Sequence, residues 1–255
     1  MTKKDYPYVC PILSSDGAKI VPKSRKAKIN KADNRVKFEK ITKKDIARDL
    51  TARQSTVVKE LDAGLSAVRA YPKSVTFFGS ARTKQSDFYY KKARHLAQHC
   101  CREGFAVITG GGPGIMEAGN RGTNESCGTA VGFNIELPYE QVINPYVTHG
   151  VNFYYFFTRK VSLTFSAEAY VYFPGGFGTL DELFEILTLV QTGKIEKVPI
   201  ILIGKKFWNP LQKFIEKVLR DEYKTISRGD EKLYTITDDV EAAMKIIKKA
   251  PIRET

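Results

Sequence analysis

The chain of 255 residues lacks several features that would each indicate a different class of protein. It has no hydrophobic run approaching the roughly 20 residues that a membrane-spanning helix needs. Its first ten residues lack the apolar core and the small-residue cleavage site of a secretory signal, so we expect a cytoplasmic protein. It contains no internal repeat and no low-complexity tract. A content of 42% hydrophobic and 27% charged residues is typical of a globular protein.

Cysteine is scarce, with four residues in the chain, and none of them forms the C-x-x-C spacing of a zinc knuckle or a redox pair. We therefore predict no metal site. Cys100 and Cys101 lie on a predicted helix, where a cysteine is most often a small buried hydrophobic side chain. No neighbouring feature marks a stabilised thiolate, which disfavours a catalytic cysteine.

Acidic residues are too few to balance the basic ones, and the formal net charge is +13. Residues 1–48 carry most of this excess, since they hold 14 Lys and Arg against 5 Asp and Glu, a net charge of +9. Such an arm can bind nucleic acid or an anionic surface. It contains few aromatic residues that could stack on bases, which favours a solvated tail or a wrap around the neighbouring domain over a nucleic-acid partner. We expect no membrane partner.

The sequence divides into two segments at residues 70 and 71. Residues 1–70 form a basic extension that ends in a helix from about Lys43 to Ala70, where apolar residues recur at helical spacing before Pro72. We predict that residues 71–255 form a separate domain in which short apolar strands alternate with amphipathic helices, the last of them over Phe207–Leu219. This alternation predicts an α/β fold, a Rossmann-like, doubly wound parallel sheet with helices on both faces.

Two predicted strands end in glycine-rich turns that open helices, one from Gly110 to Gly114 and the other from Gly175 to Gly178. A turn without Cβ atoms lets backbone N–H groups approach an anion, and the dipole of the following helix favours negative charge. Neither turn has the Lys-Ser/Thr of a P-loop, and neither is a dinucleotide fingerprint after the first strand. Because ligands bind at the carboxyl ends of parallel strands, the two turns together predict a shared nucleotide site.

The residues around these turns resemble the LOG ("lonely guy") family of nucleoside 5′-monophosphate phosphoribohydrolases, in particular its longer bacterial members. The resemblance rests on three motifs, GGGPGIMEA at 110–118, TRK at 158–160 and PGGFGTLDE at 174–182, and extends over about Pro72–Leu219. The family is often labelled lysine decarboxylase. That label implies a pyridoxal site, which the sequence does not contain, so we expect no cofactor.

The resemblance implies hydrolysis of the N-glycosidic bond of an AMP-like purine nucleoside 5′-monophosphate, with an N6-modified, cytokinin-type base as one option. The products are the free base and ribose 5-phosphate. Catalytic roles fall on Arg159 and Glu182. The expected contacts with the nucleotide and its phosphate are Gly79, Ser80, Gly111, Gly112, Glu117, Lys160, Pro174, Gly175, Gly176, Gly178 and Thr179.

Structural interpretations stand beside these functional ones. Thr179-x-x-Glu182 has the pattern of a capping box, in which the carboxylate stabilises a helix start. Arg159 with Lys160 could be a solvated pair, and Glu117 could simply offset a helix dipole. For the whole protein, the alternatives are a nucleotide-binding sensor or carrier without turnover, and nucleic-acid binding through the basic arm.

A run of five aromatic residues, 153–157, lies in a strand predicted at Val151–Phe157, and the next helix is predicted over Arg159–Ser166. It contains more aromatic surface than one face of a sheet can bury. Members of the LOG family associate through helices beside this region, so the resemblance implies a homodimer or a higher even oligomer. The alternative is a monomer in which both faces of this parallel strand are buried.

Overall fold

The computed structural model describes residues 28–29, 36–37, 50–136 and 143–252. Strand β1 (Lys28–Ile29) pairs antiparallel with β2 (Val36–Lys37). The first described helix, α1, spans Leu50–Ala70. Residues 43–49, where we predict the start of this helix, lie outside the described residues, as does most of the basic arm.

The remainder alternates strands and helices, as predicted. The strands are β3 (Ser74–Phe78), β4 (Ala106–Thr109), β5 (Ala130–Ile135), β6 (His149–Phe153), β7 (Ala169–Tyr172), β8 (Ile200–Ile203) and β9 (Thr235–Thr237). The α-helices are α2 (Phe88–Arg102), α3 (Ile115–Glu125), α4 (Phe156–Thr164), α5 (Phe177–Gln191), α6 (Lys205–Phe214) and α7 (Val240–Ile247). A π-helix, Ile215–Glu222, continues α6, and a 3₁₀ turn, Asp230–Lys232, precedes β9.

Strands β3 to β9 form one parallel sheet in the order β6-β5-β4-β3-β7-β8-β9. The chain runs outward from β3 to the edge strand β6, then returns to β7 on the other side of β3. This doubly wound order confirms the predicted Rossmann-like α/β fold. It places the switch in winding direction between β3 and β7, where such sheets open a crevice for ligands.

The core lies on both faces of the sheet, because successive side chains of a strand point to opposite sides. In β3, Phe77 packs on the face covered by α2, α3 and α7, and Phe78 packs on the face covered by α1, α4, α5 and α6. Trp208 of α6 is completely buried on the same face as Phe78, and Ala67 of α1 belongs to the same hydrophobic cluster. Helix α1 therefore shares the core of the sheet, whereas the domain boundary at residues 70 and 71 stays a prediction.

The structure corrects two predictions at the aromatic run. The strand predicted over Val151–Phe157 ends at Phe153, and the helix predicted to begin at Arg159 begins at Phe156. Phe153 is completely buried, but Phe156 and Phe157 are 57% and 53% exposed in the first turn of α4. Among the described residues the N-cap, Tyr155, makes no side-chain capping bond, so the local sequence carries no signal for this helix start.

The end of the chain also differs from the sequence-based pattern. A single helix is predicted over Phe207–Leu219, but α6 ends at Phe214 and a π-helix follows. The predictions do not include β9 and α7. Within residues 50–136 and 143–252, none of the helices combines the length and the hydrophobicity needed to cross a lipid bilayer.

Candidate functional site

The two glycine turns meet at one edge of the sheet, as the pattern predicts. The first follows β4, the second follows β7, and Gly79 and Ser80 follow β3, which lies between these strands. Ser80 joins the turns through its backbone, since its N–H donates to Pro174 O at 3.1 Å and its carbonyl accepts from Ile115 N at 3.1 Å. The predicted site residues on these three turns are therefore brought together at one edge of the sheet.

The glycines of the first turn are required by its backbone. Gly111 and Gly114 have φ angles of +72° and +69°, a region that favours glycine. A Cβ on Gly114 would lie 2.3 Å from Ser80 O. Asn144, which the sequence analysis does not identify, holds this turn, because its Nδ2 lies 3.0 Å from both Gly111 O and Gly112 O.

Two further glycines leave room for neighbouring side chains. A Cβ on Gly110 would lie 2.3 Å from Nη2 of Arg159, so the guanidinium rests directly on the first glycine turn. A Cβ on Gly79 would lie 2.8 Å from Ile115 of α3. Gly79 thus has a packing role, and its contact with a nucleotide stays a prediction. Gly110 was not among the predicted site residues, although it belongs to the glycine run.

The second turn has the geometry of an anion site. Helix α5 begins at Phe177, and the first N–H groups of a helix have no partner within it. A Cβ on Gly176 or Gly178 would meet no atom of the described residues within 4 Å, so the turn is open on this side. On the other side Thr179 folds back over Gly175, where a Cβ would lie 2.1 Å from its Oγ1.

The capping-box interpretation of Thr179 and Glu182 is wrong. The N-cap of α5 is Gly176, and no side chain of the described residues caps the helix there. Because α5 begins at Phe177, two residues before Thr179, Thr179 lies within the first turn of α5 and Glu182 lies in the next. The carboxylate of Glu182 is therefore not used to stabilise the helix start.

Glu182 instead pairs with Arg159 across the crevice. The Nη1 of Arg159 lies 3.8 Å from Oε1 of Glu182, and the two side chains are only 11% and 15% exposed. The Nε of Arg159 donates to Phe133 O at 2.7 Å, which fixes the guanidinium against the end of β5. The structure thus places one buried cation and one buried carboxylate between the two glycine turns.

Burial of the Glu182 carboxylate favours its protonated form. It raises the pKa of Glu182 to about 7, and the nearby Asp181 and Glu185 act in the same direction. Arg159 and Lys160 oppose the shift without cancelling it. Burial also lowers the pKa of Arg159, while Glu182 partly offsets that effect. A carboxyl group with a pKa near neutrality can both accept and return a proton.

Two predicted binding residues already have partners inside the protein. The Nζ of Lys160 lies 2.9 Å from Asp181 Oδ1 and 3.1 Å from Glu185 Oε2. Glu117 accepts from Gln85 Nε2 at 2.6 Å and from the Tyr90 hydroxyl at 2.8 Å. Binding of a nucleotide by Lys160 and Glu117 stays a prediction that these contacts do not favour.

Comparisons with known proteins agree with the sequence motifs. A family model described as "Possible lysine decarboxylase" matches residues 116–247. Cytokinin riboside 5′-monophosphate phosphoribohydrolase from Rhodococcoides fascians is 26% identical over 188 residues, which cover 71% of this chain and 91% of that protein. The Arabidopsis thaliana protein LOG5, of the same name, is 25% identical over 162 residues, covering 62% of this chain and 71% of that protein.

The fold also matches solved structures. A molybdenum cofactor binding protein from Rippkaea orientalis superimposes with a TM-score of 0.52 at 20% identity, and the match covers 69% of this chain and 93% of that chain. At this identity the likeness concerns the fold alone.

Proposed function

The chain belongs to the LOG family, whose model carries the description "Possible lysine decarboxylase", and on this basis we propose that it is a nucleoside 5′-monophosphate phosphoribohydrolase. The substrate is a purine nucleoside 5′-monophosphate, with cytokinin-type N6-modified bases among the candidates. The products are the free base and ribose 5-phosphate. The observation that carries this proposal is the buried pair of Arg159 and Glu182 between two glycine turns.

The substrate is anchored by its 5′-phosphate. The open side of the second glycine turn offers the N–H groups at the start of α5, where the helix dipole favours an anion. This contact fixes the ribose relative to Glu182, which lies in the next turn of the same helix. Holding the reacting carbon in place is a large part of the rate acceleration available to such a site.

Bond cleavage uses the carboxylate of Glu182. The C1′–N bond breaks with its electron pair leaving on the base, and positive charge develops on the ribose as in glycoside hydrolysis. Ionised Glu182 stabilises that charge and accepts a proton from the water that adds to C1′. The base nitrogen takes up one proton, so water and nucleotide are converted to free base and ribose 5-phosphate. Arg159 binds the phosphate or an edge of the base.

Decarboxylation through pyridoxal, which the family description implies, does not fit the residues present. A lysine that forms a Schiff base must be neutral to attack a carbonyl. Although burial lowers the pKa of Lys160, its contacts with Asp181 and Glu185 raise it above the usual value. Lys160 is therefore held as a cation beside the site.

A non-catalytic sensor or carrier is the alternative, since a protein of similar fold is named as a cofactor-binding protein. The pKa of Glu182, raised to about 7, favours catalysis. A carrier gains nothing from such a residue, whereas a hydrolase needs a group that exchanges protons at neutral pH.

We also propose that the protein assembles as a homodimer or a higher even oligomer. On α4, Phe156 and Phe157 are 57% and 53% exposed, Phe165 directly after this helix is 47% exposed, and Phe177 at the start of α5 is 93% exposed. Large exposed apolar side chains on neighbouring helices are typical of a surface that another protein covers. A second copy of this chain would bury them next to the site.

Incubation with AMP, GMP and N6-prenyl-AMP tests the proposed reaction. Chromatography should detect free base and ribose 5-phosphate in equal amounts from at least one of these nucleotides. Calorimetric binding of all three nucleotides without release of base would contradict hydrolysis and favour the carrier. Release of inorganic phosphate or of ammonia would identify a different reaction.

A further inference from the structure

The helix that presents Arg159 begins without a capping side chain of its own. Arg159 follows Phe156, Phe157 and Thr158 at the start of α4. Within the described residues no side chain of the N-cap residue accepts a bond from this turn. A helix start without a capping side chain of its own is fixed by contacts with other parts of the protein.

Glu60 of α1 supplies acceptors for the backbone of the two residues before α4 and for one side chain in its first turn. Its Oε1 accepts from Tyr154 N at 2.8 Å, and its Oε2 accepts from Tyr155 N at 3.3 Å and from the Thr158 hydroxyl at 2.5 Å. Glu60 is only 7% exposed. One buried carboxylate thus fixes Tyr154 and Tyr155 before α4 and Thr158, the residue that precedes Arg159.

A second contact, one helical turn further on, holds the two helices together. Gly64 follows Glu60 by four residues, and Ser162 follows Thr158 by four. A Cβ on Gly64 would lie 2.1 Å from Ser162 Oγ and 3.0 Å from the ring of Phe153. Because Gly64 has no side chain, α1 approaches α4 closely enough for Glu60 to reach the start of α4.

Arg159, the residue after Thr158, extends its side chain into the candidate site. The Arg159 guanidinium bonds to Phe133 O at 2.7 Å and lies 3.8 Å from Glu182. A displacement of about 1 Å at the start of α4 would alter both contacts, and misplacement on this scale can cost an enzyme about 100-fold in rate.

We propose that Glu60 is a positioning residue for the site, acting through Thr158 and the start of α4 to hold the Arg159 guanidinium beside Glu182. This makes α1, which precedes the residues 116–247 matched by the family model, a necessary part of the site. The inference rests on the function proposed above.

Glu60→Gln tests this role, because glutamine keeps the shape of the side chain but replaces one accepting oxygen with an NH₂ group that faces other donors. Glu125→Gln is the matched control. Glu125 is a partly buried carboxylate at the opposite end of α3, and it accepts from Arg94 at 2.6 Å, Arg121 at 2.9 Å and Gln98 at 3.1 Å. Each substitution removes a carboxylate with three donors, so both should lower Tm.

With AMP as substrate, Glu60→Gln should lower kcat about 10- to 100-fold with a smaller change in KM. Glu125→Gln should leave kcat within about twofold of wild type. Equal kcat losses in the two variants, or wild-type kcat in Glu60→Gln despite its lower Tm, would overturn the proposal. If Glu60→Gln does not fold, Thr158→Val removes one of the three bonds, and an unchanged kcat in that variant would overturn it as well.

Failure of the proposed function is recognised separately, as the absence of base release by the wild-type chain. The affinity for AMP, measured by calorimetry, then decides the role of Glu60. A loss of at least about tenfold in Glu60→Gln but not in Glu125→Gln supports positioning of Arg159 for binding. Unchanged affinity in Glu60→Gln would overturn it.

Discussion

Replacing Glu182 with glutamine separates the stability of the fold from the chemistry of the site. Burial raises the pKa of Glu182 to about 7, whereas the same carboxyl in the unfolded chain titrates near 4.5. The stability linked to this group is fully present below pH 4.5 and is lost as the pH rises through 7. At higher pH the folded protein holds a buried charge that the unfolded chain exposes to water.

The size of this effect follows from the two pKa values. One pH unit corresponds to about 1.4 kcal/mol, so titration between 4.5 and about 7 removes about 3 kcal/mol from the free energy of unfolding. Glutamine resembles the protonated carboxyl and has no such loss. Because Glu182 does not cap α5, the substitution removes no capping bond. Relative to wild type, Glu182→Gln should therefore gain about 3 kcal/mol between pH 4.5 and pH 8.5.

Urea denaturation of both proteins at several pH values measures this difference, and base release from AMP measures the chemistry. The stability difference should shift in favour of the variant as the pH rises from 4.5 to 8.5, yet the kcat of the variant should fall by a factor of about 100 to 10,000, since an amide cannot accept the proton of water. Stability curves that run parallel across this pH range would refute the buried, raised-pKa carboxylate. Near wild-type turnover would refute its catalytic role.

Three further predictions follow from the same geometry. The kcat for AMP should increase with pH, and the midpoint of this increase should lie at or above about pH 7, because Glu182 acts in its ionised form and bound phosphate raises its pKa further. A flat profile of kcat between pH 6 and 8 would contradict this. Gly110→Ala should displace the Arg159 guanidinium and lower kcat/KM at least about tenfold, whereas Gly150→Ala, whose Cβ would have only ordinary 3.7 Å contacts, should retain activity; equal effects would contradict the contact. Light scattering should give at least twice the 28.7 kDa of one chain at micromolar concentration, and a monomer mass would refute the interface on α4 and α5.

The parts of the fold that were predicted correctly depend on local pattern. Short apolar strands such as β3 and β7 alternate with amphipathic helices, and this alternation specifies a parallel sheet. Parallel strands bring their carboxyl ends to one edge, so the meeting of the two glycine turns also follows from the sequence. Arg159 and Glu182 were identified by motif, and the structure brings them within 3.8 Å.

What the sequence analysis missed depends on contacts between distant residues. Glu60 accepts from residues 94 to 98 positions away, so no local signal marks it as the acceptor for α4. Without it, the aromatic run after Phe153 has no visible helix start and is interpreted as a strand. The capping box failed for the opposite reason, since a local motif matched Thr179 and Glu182 although the glycine turn begins the helix earlier.

The central claim is that a phosphate-anchored nucleotide loses its base at the Arg159–Glu182 pair, and a comparison of AMP with adenosine tests it most directly. The enzyme should convert AMP to adenine and ribose 5-phosphate in equal amounts. With adenosine, which cannot bind the turn at the start of α5, kcat/KM should be at least about 100-fold lower. Equal kcat/KM values for the two compounds, or no adenine from either, would contradict the account.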